Sequence, residues 1–397
     1  MKILFVHEVD YRNKVIFEIH EFPELMALRG HNISFFQFAE KDGNGNSQSR
    51  NGISQISGRA HPGARIKLIT PWHTGKSFLD RFVCFGSSYA SLRREFANNN
   101  YDAVVLYAVP TYGLQVLNLA RKHHVPVMFR ALDVSHKIRK SIFSKLIFKI
   151  EKRIYSQCDL LSANNPAMRD YCVSISGRTK ETVVNYPPLD LLHFKPRKPS
   201  PELALSLGLS ETNQVITYMG SFFYFSGLEE VIKDFAGKRR SIGNVKLLLI
   251  GGGEQDSELR QLVSDLNLED SVVFTGFVPY QDLPDYLALS DVAINPLEKS
   301  LVTDVAFPHK VLQYLAAGIP VVSTQLDGLF KTFGNESGIR WANGASEIID
   351  SSIDILDSES KLQAMAELGL SSVNELFGVA KAVDAFEGAV GSMTSNI

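Results

Sequence analysis

A lysine and a glutamine three residues apart stand in the segment FPHKVLQYLAAGIPVVST, which runs from residue 307 to 324. Pro308 is expected to begin a helix there, because its missing N–H is not needed in the first turn, and Gly318 is expected to end it. Lys310 and Gln313 would then share one helix face. The spacing alone favours the plainer interpretation of an ordinary capped helix with a solvated lysine.

A second group of polar residues follows a predicted strand in PVMFRALDVSHKIRK, residues 126–140. Arg130, Asp133 and His136 are expected to be exposed at the carboxyl end of that strand, where α/β sheets bind ligands. For Asp133 the plainer interpretation is that it caps the following helix, a position in which aspartate is favoured. His136 alone would more often be a surface histidine. His7, at the end of the first predicted strand, is a further candidate of lower rank.

Glycine-rich turns follow two predicted strands of the C-terminal half. Gly220 and Ser221 precede a helical segment, and Gly253 and Glu254 stand in a similar turn further along the chain. Backbone N–H groups at the start of a helix attract anions, so such turns can hold phosphate groups. Each turn is also explained by the tight bend that glycine permits.

Short β-branched runs alternate with helical segments along most of the chain, which is the pattern of parallel α/β sheets covered by helices. Residues 186–201 concentrate prolines, which central strands and helices exclude, and they divide this pattern in two. We therefore predict two doubly wound, Rossmann-like domains, residues 1–190 and 191–375, that face each other across a cleft. Residues 376–397 are predicted to form a C-terminal helix that packs back on the first domain.

Composition excludes several classes of protein. The 397 residues include 41 lysines and arginines against 43 aspartates and glutamates, and this formal net charge of −2 argues against a nucleic-acid binder. Three cysteines without Cys-x-x-Cys spacing argue against a disulfide framework and against a structural zinc site. No stretch approaches the roughly 20 apolar residues of a membrane-spanning helix. The polar segment 40–64 is too long for a routine connection, so it is expected to be mobile or to form a substrate loop.

The segment at 307–324 resembles the donor-site signature of family 4 glycosyltransferases with the GT-B fold, in which Pro-x-Lys-x-x-Glu-Tyr-x-x-x-Gly-x-Pro-Val-Val follows a loop that touches the sugar. Other segments resemble landmarks of this family in the right order: VVNYPPLDLLHFKP at 183–196, YMGSFFYFSGLEEVI at 218–232, LLLIGGGEQDSEL at 247–259 and VVFTGFVPYQDLPDYLALSDVAINP at 272–296. The resemblance covers most of residues 100–375. It implies two Rossmann-like domains with a nucleotide-sugar site in the second.

The resemblance also implies roles for individual residues. Lys310 would stabilise the leaving diphosphate and Gln313 would bond the ribose hydroxyls. Thr303 and Asp304 would face the sugar ring, and Asp133 would meet the acceptor hydroxyl. The predicted catalytic residues are therefore Asp133, Asp304 and Lys310. The donor would be bound by Gly220, Ser221, Gly253, Glu254, Val278, Thr303, Lys310 and Gln313, and the acceptor and transferred sugar would lie beside Arg130, His136 and His7.

Four positions depart from the pattern of this family. Many members carry an arginine after the first glycine and a lysine before the second, both binding the diphosphate, where this chain has Ser221 and Ser226. The family's Glu-x7-Glu pair falls at Val305 and Gln313. Glutamine can still bond a ribose hydroxyl, whereas valine cannot. These changes suit a subfamily that uses a Gly-Ser-Phe turn, and an inactive homologue that binds no donor is the alternative.

The activity implied by the resemblance is transfer of a hexose-type sugar from a UDP- or GDP-linked donor to a hydroxyl of a glycan or glycolipid. It would retain the anomeric configuration, need no metal and no cofactor, and serve the synthesis of cell-surface polysaccharides or glycoconjugates. Two other classes stay open: a sugar-nucleotide epimerase or hydrolase of GT-B fold, and a non-catalytic homologue that acts as a partner subunit.

The segment HKIRKSIFSKLIFKIEKR, residues 136–153, carries seven lysines and arginines against the single acid Glu151. Its apolar residues follow helical spacing, which predicts a basic amphipathic helix. One interpretation is a core-packed helix with a solvated basic face. The other is contact with an anionic membrane surface, where each cation contributes about 1 kcal/mol. The protein is accordingly expected to be cytoplasmic, either free or peripheral on the inner face of the membrane.

Overall fold

A computed structural model describes residues 1–14, 16–38, 52–72, 80–107, 112–138, 143–239 and 243–395. The chain divides into two compact units, of which the first comprises Met1–Pro188 together with Ala380–Ile397 and the second Leu189–Val379. Residues 40–51 of the polar segment and residues 139–142 of the basic segment lie outside the described residues.

The first unit is built on a largely parallel sheet. Its strands, in the described residues, are β1 (Lys2–Val6), β2 (Asn32–Phe36), β3 (Gly52–Ser57), β4 (Arg65–Thr70), β5 (Ala103–Leu106), β6 (Val127–Ala131), β7 (Leu160–Ala163) and β8 (Thr182–Val184). Their order in the sheet is β3-β4-β2-β1-β5-β6-β7-β8, and β3 pairs with β4 antiparallel while the other neighbours are parallel. β5, β6 and β7 are buried throughout, as expected of strands covered on both faces. The β3 strand corrects one expectation, because residues 52–57 of the polar segment form a sheet edge and not a loop.

The helices of the first unit connect these parallel strands. They are α1 (Glu18–Leu28), α2 (Asp80–Asn98), α3 (Gly113–Lys122), α4 (Ser135–Ile138), α5 (Ser144–Gln157) and α6 (Pro166–Ser176). The last of them shows how the sequence sets a boundary. The Asn165 side chain accepts a hydrogen bond from the Met168 N–H at the start of α6, and Gly177 ends the helix in the left-handed conformation.

The second unit contains a sheet that is parallel throughout its described strands. These are β9 (Gln214–Ser221), β10 (Val245–Gly252), β11 (Val272–Gly276), β12 (Val292–Asn295), β13 (Val321–Thr324) and β14 (Ile339–Ala342), in the spatial order β11-β10-β9-β12-β13-β14. The order reverses direction between β9 and β12, and the carboxyl ends of strands at such a point are where α/β sheets bind ligands. The residues that end β9 and β10 are therefore the candidates for a ligand site in this unit.

Helices cover the sheet of the second unit. They are α7 (Pro201–Ser206), α8 (Leu228–Lys238), α9 (Asp256–Asp265), α10 (Leu283–Leu287), α11 (Leu301–Asp304), α12 (His309–Ala316), α13 (Asp327–Phe333), α14 (Ile348–Leu356) and α15 (Glu359–Leu376), with a short 3-10 helix at Ala345–Glu347. A core of aliphatic side chains, including Ile216, Val231, Leu247 and Ile348, joins α8 and α14 to the strands.

A final helix, α16 (Val379–Thr394), returns to the first unit. The Phe386 ring stacks on Phe22 of α1 at 4.0 Å between ring centroids and lies 6.4 Å from Phe5 of β1. Glu387 accepts a hydrogen bond from Arg29 at 2.7 Å and lies 2.7 Å from the His31 ring. Across the part of the chain that the structure describes, no helix has the length and apolar character needed to span a membrane.

Candidate functional site

The carboxyl ends of β9 and β10 form a surface of nearly bare backbone. Gly220 lies opposite Gly251 in the sheet, and Ser221 lies opposite Gly252. Gly251 has a φ of +129°, and a Cβ atom there would lie 2.1 Å from the Gly220 carbonyl oxygen. Only glycine satisfies both conditions, because other residues rarely adopt that φ and their Cβ would overlap backbone. A ligand can therefore approach the main chain closely at this edge.

Lys310 brings a cation to the same edge. Its Nζ atom lies 3.4 Å from the position that a Cβ on Gly220 would occupy. The ammonium group sits over the Tyr218 ring, 3.8 Å from the ring centroid. Loss of solvent around this half-buried side chain lowers the pKa of Lys310 to about 7. The expectation of a fully solvated lysine is therefore wrong, and Lys310 is a desolvated amine beside a glycine turn.

The helix that carries Lys310 is held firmly against β9. Pro308 occupies the position before its first residue, and Gly318, with a φ of +75°, follows its last turn, as the sequence predicts. Tyr314 is buried, and its hydroxyl oxygen accepts a hydrogen bond from the Met219 backbone N–H at 2.6 Å. Gln313 is half-buried, one turn away from Lys310. The backbone that carries Lys310 and Gln313 is thus held in place against β9.

The loop after β11 adds an aromatic side chain to this edge. Phe277 is 75% exposed, and its ring lies 3.1 Å from where a Cβ on Gly252 would be. Val278, the next residue, is half-buried. Gly253 and Glu254 are exposed at the end of β10, and a Cβ on Gly253 would lie 2.7 Å from the Phe222 nitrogen. An exposed ring beside bare backbone can stack on a planar group such as a nucleobase.

Thr303 departs from the expectation that it faces a sugar, whereas for Asp304 that role stays a prediction. Thr303 is buried, and its hydroxyl accepts a hydrogen bond from the Ser300 N–H at 2.8 Å and donates one to the Glu298 carbonyl oxygen. Its side chain therefore fixes the turn into α11, which is a capping box with Ser300. Asp304 is half-buried 3.7 Å from the Lys299 ammonium, and burial raises its pKa.

Arg130 of the first unit is not exposed, contrary to the expectation. The side chain is fully buried at the end of β6, and its Nε and Nη2 atoms each donate to a Glu18 carboxylate oxygen at 2.8 Å. Nη1 donates to the Ser162 hydroxyl at 3.0 Å. A buried guanidinium needs such a partner, and Glu18 at the first residue of α1 supplies it. Arg130 therefore links α1 to β6.

His136 is likewise buried, so the expectation that it is exposed is also wrong. Its Nδ1 contacts the Glu151 carboxylate, which also accepts a hydrogen bond from the His136 backbone N–H at 3.2 Å. The pair joins α4 to α5. Asp133 by contrast is exposed, and its Oδ1 accepts a hydrogen bond from the Ser135 hydroxyl at 3.1 Å. His7 is half-buried and stacks on Tyr107, with 5.4 Å between the ring centroids.

Tyr218 is the residue of this site that the sequence analysis missed. It is fully buried except for 1% of its surface, and its hydroxyl donates to the Ser221 carbonyl oxygen at 2.9 Å. The sequence did contain a signal. Residues two apart on a strand point to the same face, so an aromatic at 218 stands beside the glycine at 220.

Comparison with known proteins agrees with this geometry. Residues 200–370 match the family model described as glycosyl transferases group 1. N-acetyl-alpha-D-glucosaminyl L-malate synthase of Bacillus anthracis is 27% identical over 188 residues, which make up 47% of this chain and 47% of that protein. The chain thus spans about half the length of this curated relative. The resemblance to this family is confirmed by the match of residues 200–370 to the model of group 1 glycosyltransferases.

Solved structures extend the likeness to the whole chain. Sucrose-phosphate synthase from Thermosynechococcus elongatus superposes with a TM-score of 0.80 at 17% identity, over 100% of both chains. Anabaena Alr3699/HepE in complex with UDP-glucose superposes with a TM-score of 0.74 at 17% identity, over 99% of this chain and 100% of that one. At such identities the likeness establishes the fold alone. The predicted GT-B fold with Rossmann-like parallel sheets is confirmed.

Proposed function

We propose that this chain is a retaining glycosyltransferase that moves a hexose-type sugar from a UDP- or GDP-linked donor to a hydroxyl of a glycan or lipid-linked acceptor. The expected setting is synthesis of cell-surface polysaccharides or glycoconjugates at the cytoplasmic side of a membrane. The observation that carries the proposal is the Lys310 ammonium beside the glycine turn at Gly220. A cation and open backbone at one point suit a diphosphate, the group on which negative charge grows during transfer.

Three further features of the second unit support this assignment. The segment that begins at Gly220 leads into the N-terminus of α8 at Leu228, and the dipole of that helix favours an anion at its N-terminus. Phe277 offers its exposed face beside Gly252, where a nucleobase can stack. Alr3699/HepE, which has the same fold, is described in complex with UDP-glucose. In the proposed site, backbone near Gly253 and Glu254 meets the nucleotide and Val278 the base.

We further propose that transfer requires no divalent metal, because Lys310 and the α8 dipole would neutralise the leaving diphosphate. Within the described residues no three His, Cys, Asp or Glu side chains are grouped so that they could hold an ion. Gln313 is proposed to bond the ribose, and Asp304 to lie beside the sugar. Thr303 is not proposed to touch the donor through its side chain, since its hydroxyl is fully used in the turn.

A donor-turnover assay tests the proposed function. Purified protein is incubated with UDP-glucose, UDP-N-acetylglucosamine or GDP-mannose, and release of the nucleoside diphosphate is followed with and without a mixture of glycan and polyprenyl-linked acceptors. Release that depends on an acceptor and persists in excess EDTA supports a metal-independent transferase. Equal release without acceptor identifies a hydrolase. Conversion of the donor into an isomeric nucleotide sugar identifies an epimerase.

Asp133 is proposed to contact the reacting acceptor hydroxyl. We expect Asp133→Asn to lower turnover about 100-fold or more while nucleotide affinity stays within about threefold, because the amide cannot accept a proton. The measurements are kcat and the Kd for the nucleoside diphosphate. Ser135→Ala is the matched control, since it removes the hydroxyl that donates to Asp133 without removing the carboxylate. Equal losses in kcat and nucleotide affinity in the aspartate variant would show that Asp133 is structural.

We also propose that α5, together with residues 137, 138 and 143, rests on an anionic membrane surface. The one acid of the basic segment, Glu151, is buried against His136, so the exposed charges in its described part are all cationic. Three apolar side chains stand exposed beside them, at 49%, 52% and 55% of their full surface: Ile138, Phe143 and Leu146. Phe143 and Leu146, two of the apolar residues of this segment, thus face outward.

Vesicle binding tests this surface. We expect the protein to sediment with vesicles that contain about a third phosphatidylglycerol, and not with phosphatidylcholine alone, at low salt. The double variant Lys145→Glu, Lys149→Glu should bind more than tenfold more weakly, since each cation near a lipid surface contributes about 1 kcal/mol. The control reverses two exposed lysines of the second unit, Lys195→Glu and Lys198→Glu. Equal binding by both double variants would contradict the proposed surface.

A further inference from the structure

The Lys310 side chain has an unusual set of neighbours. Among the described residues it makes no hydrogen bond and no ion pair, and its recorded interaction is with the Tyr218 ring at 3.8 Å. A carboxylate in that place would neutralise the ammonium group and compete with a bound diphosphate. An aromatic face attracts the cation while leaving its charge available.

The Tyr218 ring is held rigidly in the position that faces Lys310. The residue is buried in β9, its hydroxyl donates to the Ser221 carbonyl oxygen at 2.9 Å, and its ring lies 6.0 Å from that of Phe222. The next residue, Met219, donates its N–H to the Tyr314 hydroxyl on the helix of Lys310. This bond between β9 and α12 fixes the position of the Tyr218 ring relative to Lys310.

The two serines of this loop make the position of Lys310 more important. Ser221 and Ser226 stand where the resembling family carries two cations, and neither serine can supply a positive charge to a diphosphate. A site that depends on one flexible lysine would lose side-chain entropy each time a ligand bound. A surface that holds the ammonium in place beforehand removes that cost.

We propose that Tyr218 is the positioning residue of the donor site, holding the Lys310 ammonium beside the Gly220 turn by a cation–π contact so that the donor diphosphate meets a fixed charge. This inference rests on the proposed function and adds to it a residue that acts through Lys310 and not by touching the substrate.

The desolvated position of Lys310 also makes binding depend on pH. Desolvation lowers the pKa of Lys310 to about 7, so near neutral pH a large part of the unliganded protein carries a neutral amine. The titratable group that faces it is the Tyr218 phenol on β9, and burial raises the pKa of that phenol, so it stays neutral. Among the described residues no neighbouring charge shifts the pKa of Lys310, which desolvation alone lowers. A bound diphosphate favours the charged amine, so binding above neutral pH takes up a proton.

The test compares Tyr218→Leu with Tyr218→Phe. Leucine keeps an apolar wall but removes the ring face, whereas phenylalanine keeps the face and loses only the hydroxyl bond to Ser221. Calorimetry measures the Kd for UDP and GDP at pH 6 and pH 8. We expect the phenylalanine variant to bind within about threefold of the parent protein, and the leucine variant to bind about tenfold more weakly at pH 8 and about twofold more weakly at pH 6.

Two results would overturn the inference while the proposed function stands. One is unchanged affinity in the leucine variant, and the other is an equal loss at both pH values, which a purely structural role would produce. If Tyr218→Leu does not fold, Tyr218→Met takes its place, because methionine also fills the apolar wall without offering a ring face. The same losses at pH 8 and pH 6 are expected of it, and unchanged affinity or an equal loss at both pH values would overturn the inference. A folded parent protein that binds neither nucleotide would overturn the proposed donor site, and the inference with it.

Discussion

Replacing Lys310 by methionine abolishes donor use and makes the protein more stable. Methionine keeps the apolar stem but removes the ammonium group, so we expect nucleoside-diphosphate affinity and turnover to fall about 100-fold or more. Because the native pKa of about 7 lies far below the usual value near 10.4, the buried amine destabilises the fold at neutral pH. We expect the variant to gain about 1–2 kcal/mol of unfolding free energy at pH 7.

The pH dependence of this gain has a definite sign. Between about pH 7 and pH 10 the unfolded chain binds a proton at Lys310 that the folded protein does not, so the stability of the parent protein rises with pH in that window. The advantage of Lys310→Met should therefore be full below pH 7 and disappear towards pH 10. Melting temperatures across this range measure it. The control is Lys233→Met, which replaces an exposed lysine paired with Glu229. It should change neither the nucleotide affinity nor the dependence of the melting temperature on pH. Full turnover by Lys310→Met would contradict the donor site.

Removing Arg130 should be the most destabilising single change considered. Arg130→Met leaves the Glu18 carboxylate buried with 1% exposure and without its guanidinium partner. Loss of one partner of a buried ion pair costs about 3–5 kcal/mol. Urea unfolding followed by circular dichroism measures this loss.

A double variant tests whether Arg130 acts on stability or on acceptor binding. Arg130→Met combined with Glu18→Leu removes both charges, and we expect it to recover at least half of the lost stability, since apolar replacements of buried pairs are often tolerated. A single variant that is as stable as the parent protein but has a raised KM for acceptor would contradict this account. It would restore the acceptor role predicted from the sequence.

The fold of the second unit could be predicted because its signals are local. Short β-branched runs that alternate with helical segments predict parallel strands, and β12 at Val292–Asn295 is one such run. Pro308 and Gly318 bounded α12 for reasons of backbone chemistry that need no tertiary contact. The β3–β4 pair was missed, because Gly52–Ser57 is short, polar and exposed at a sheet edge, and its neighbours in sequence are equally polar.

The errors in the site have a common physical cause. Arg130 looks like a surface residue because charged side chains are seldom buried, and its partner Glu18 is 112 residues away in the chain. Nothing in the local sequence identifies such a partner. Thr303 differs, since Ser300 three residues before it forms a capping pattern that local reasoning can detect. The surroundings of Lys310 could be predicted in part. Its helix is set by nearby residues, whereas the Tyr218 ring belongs to a strand far away in sequence.

Nucleotide binding tests the central claim most directly. Thermal shifts of the purified chain are measured with UDP, GDP, ADP and TDP, each with magnesium and with EDTA, after circular dichroism has shown that the protein is folded. The account predicts that one of them raises the melting temperature equally in both conditions, consistent with about 2.7 kcal/mol of stabilisation at a concentration 100 times Kd. Absence of a shift with all four nucleotides in a folded protein would contradict a donor site at Gly220 and Lys310.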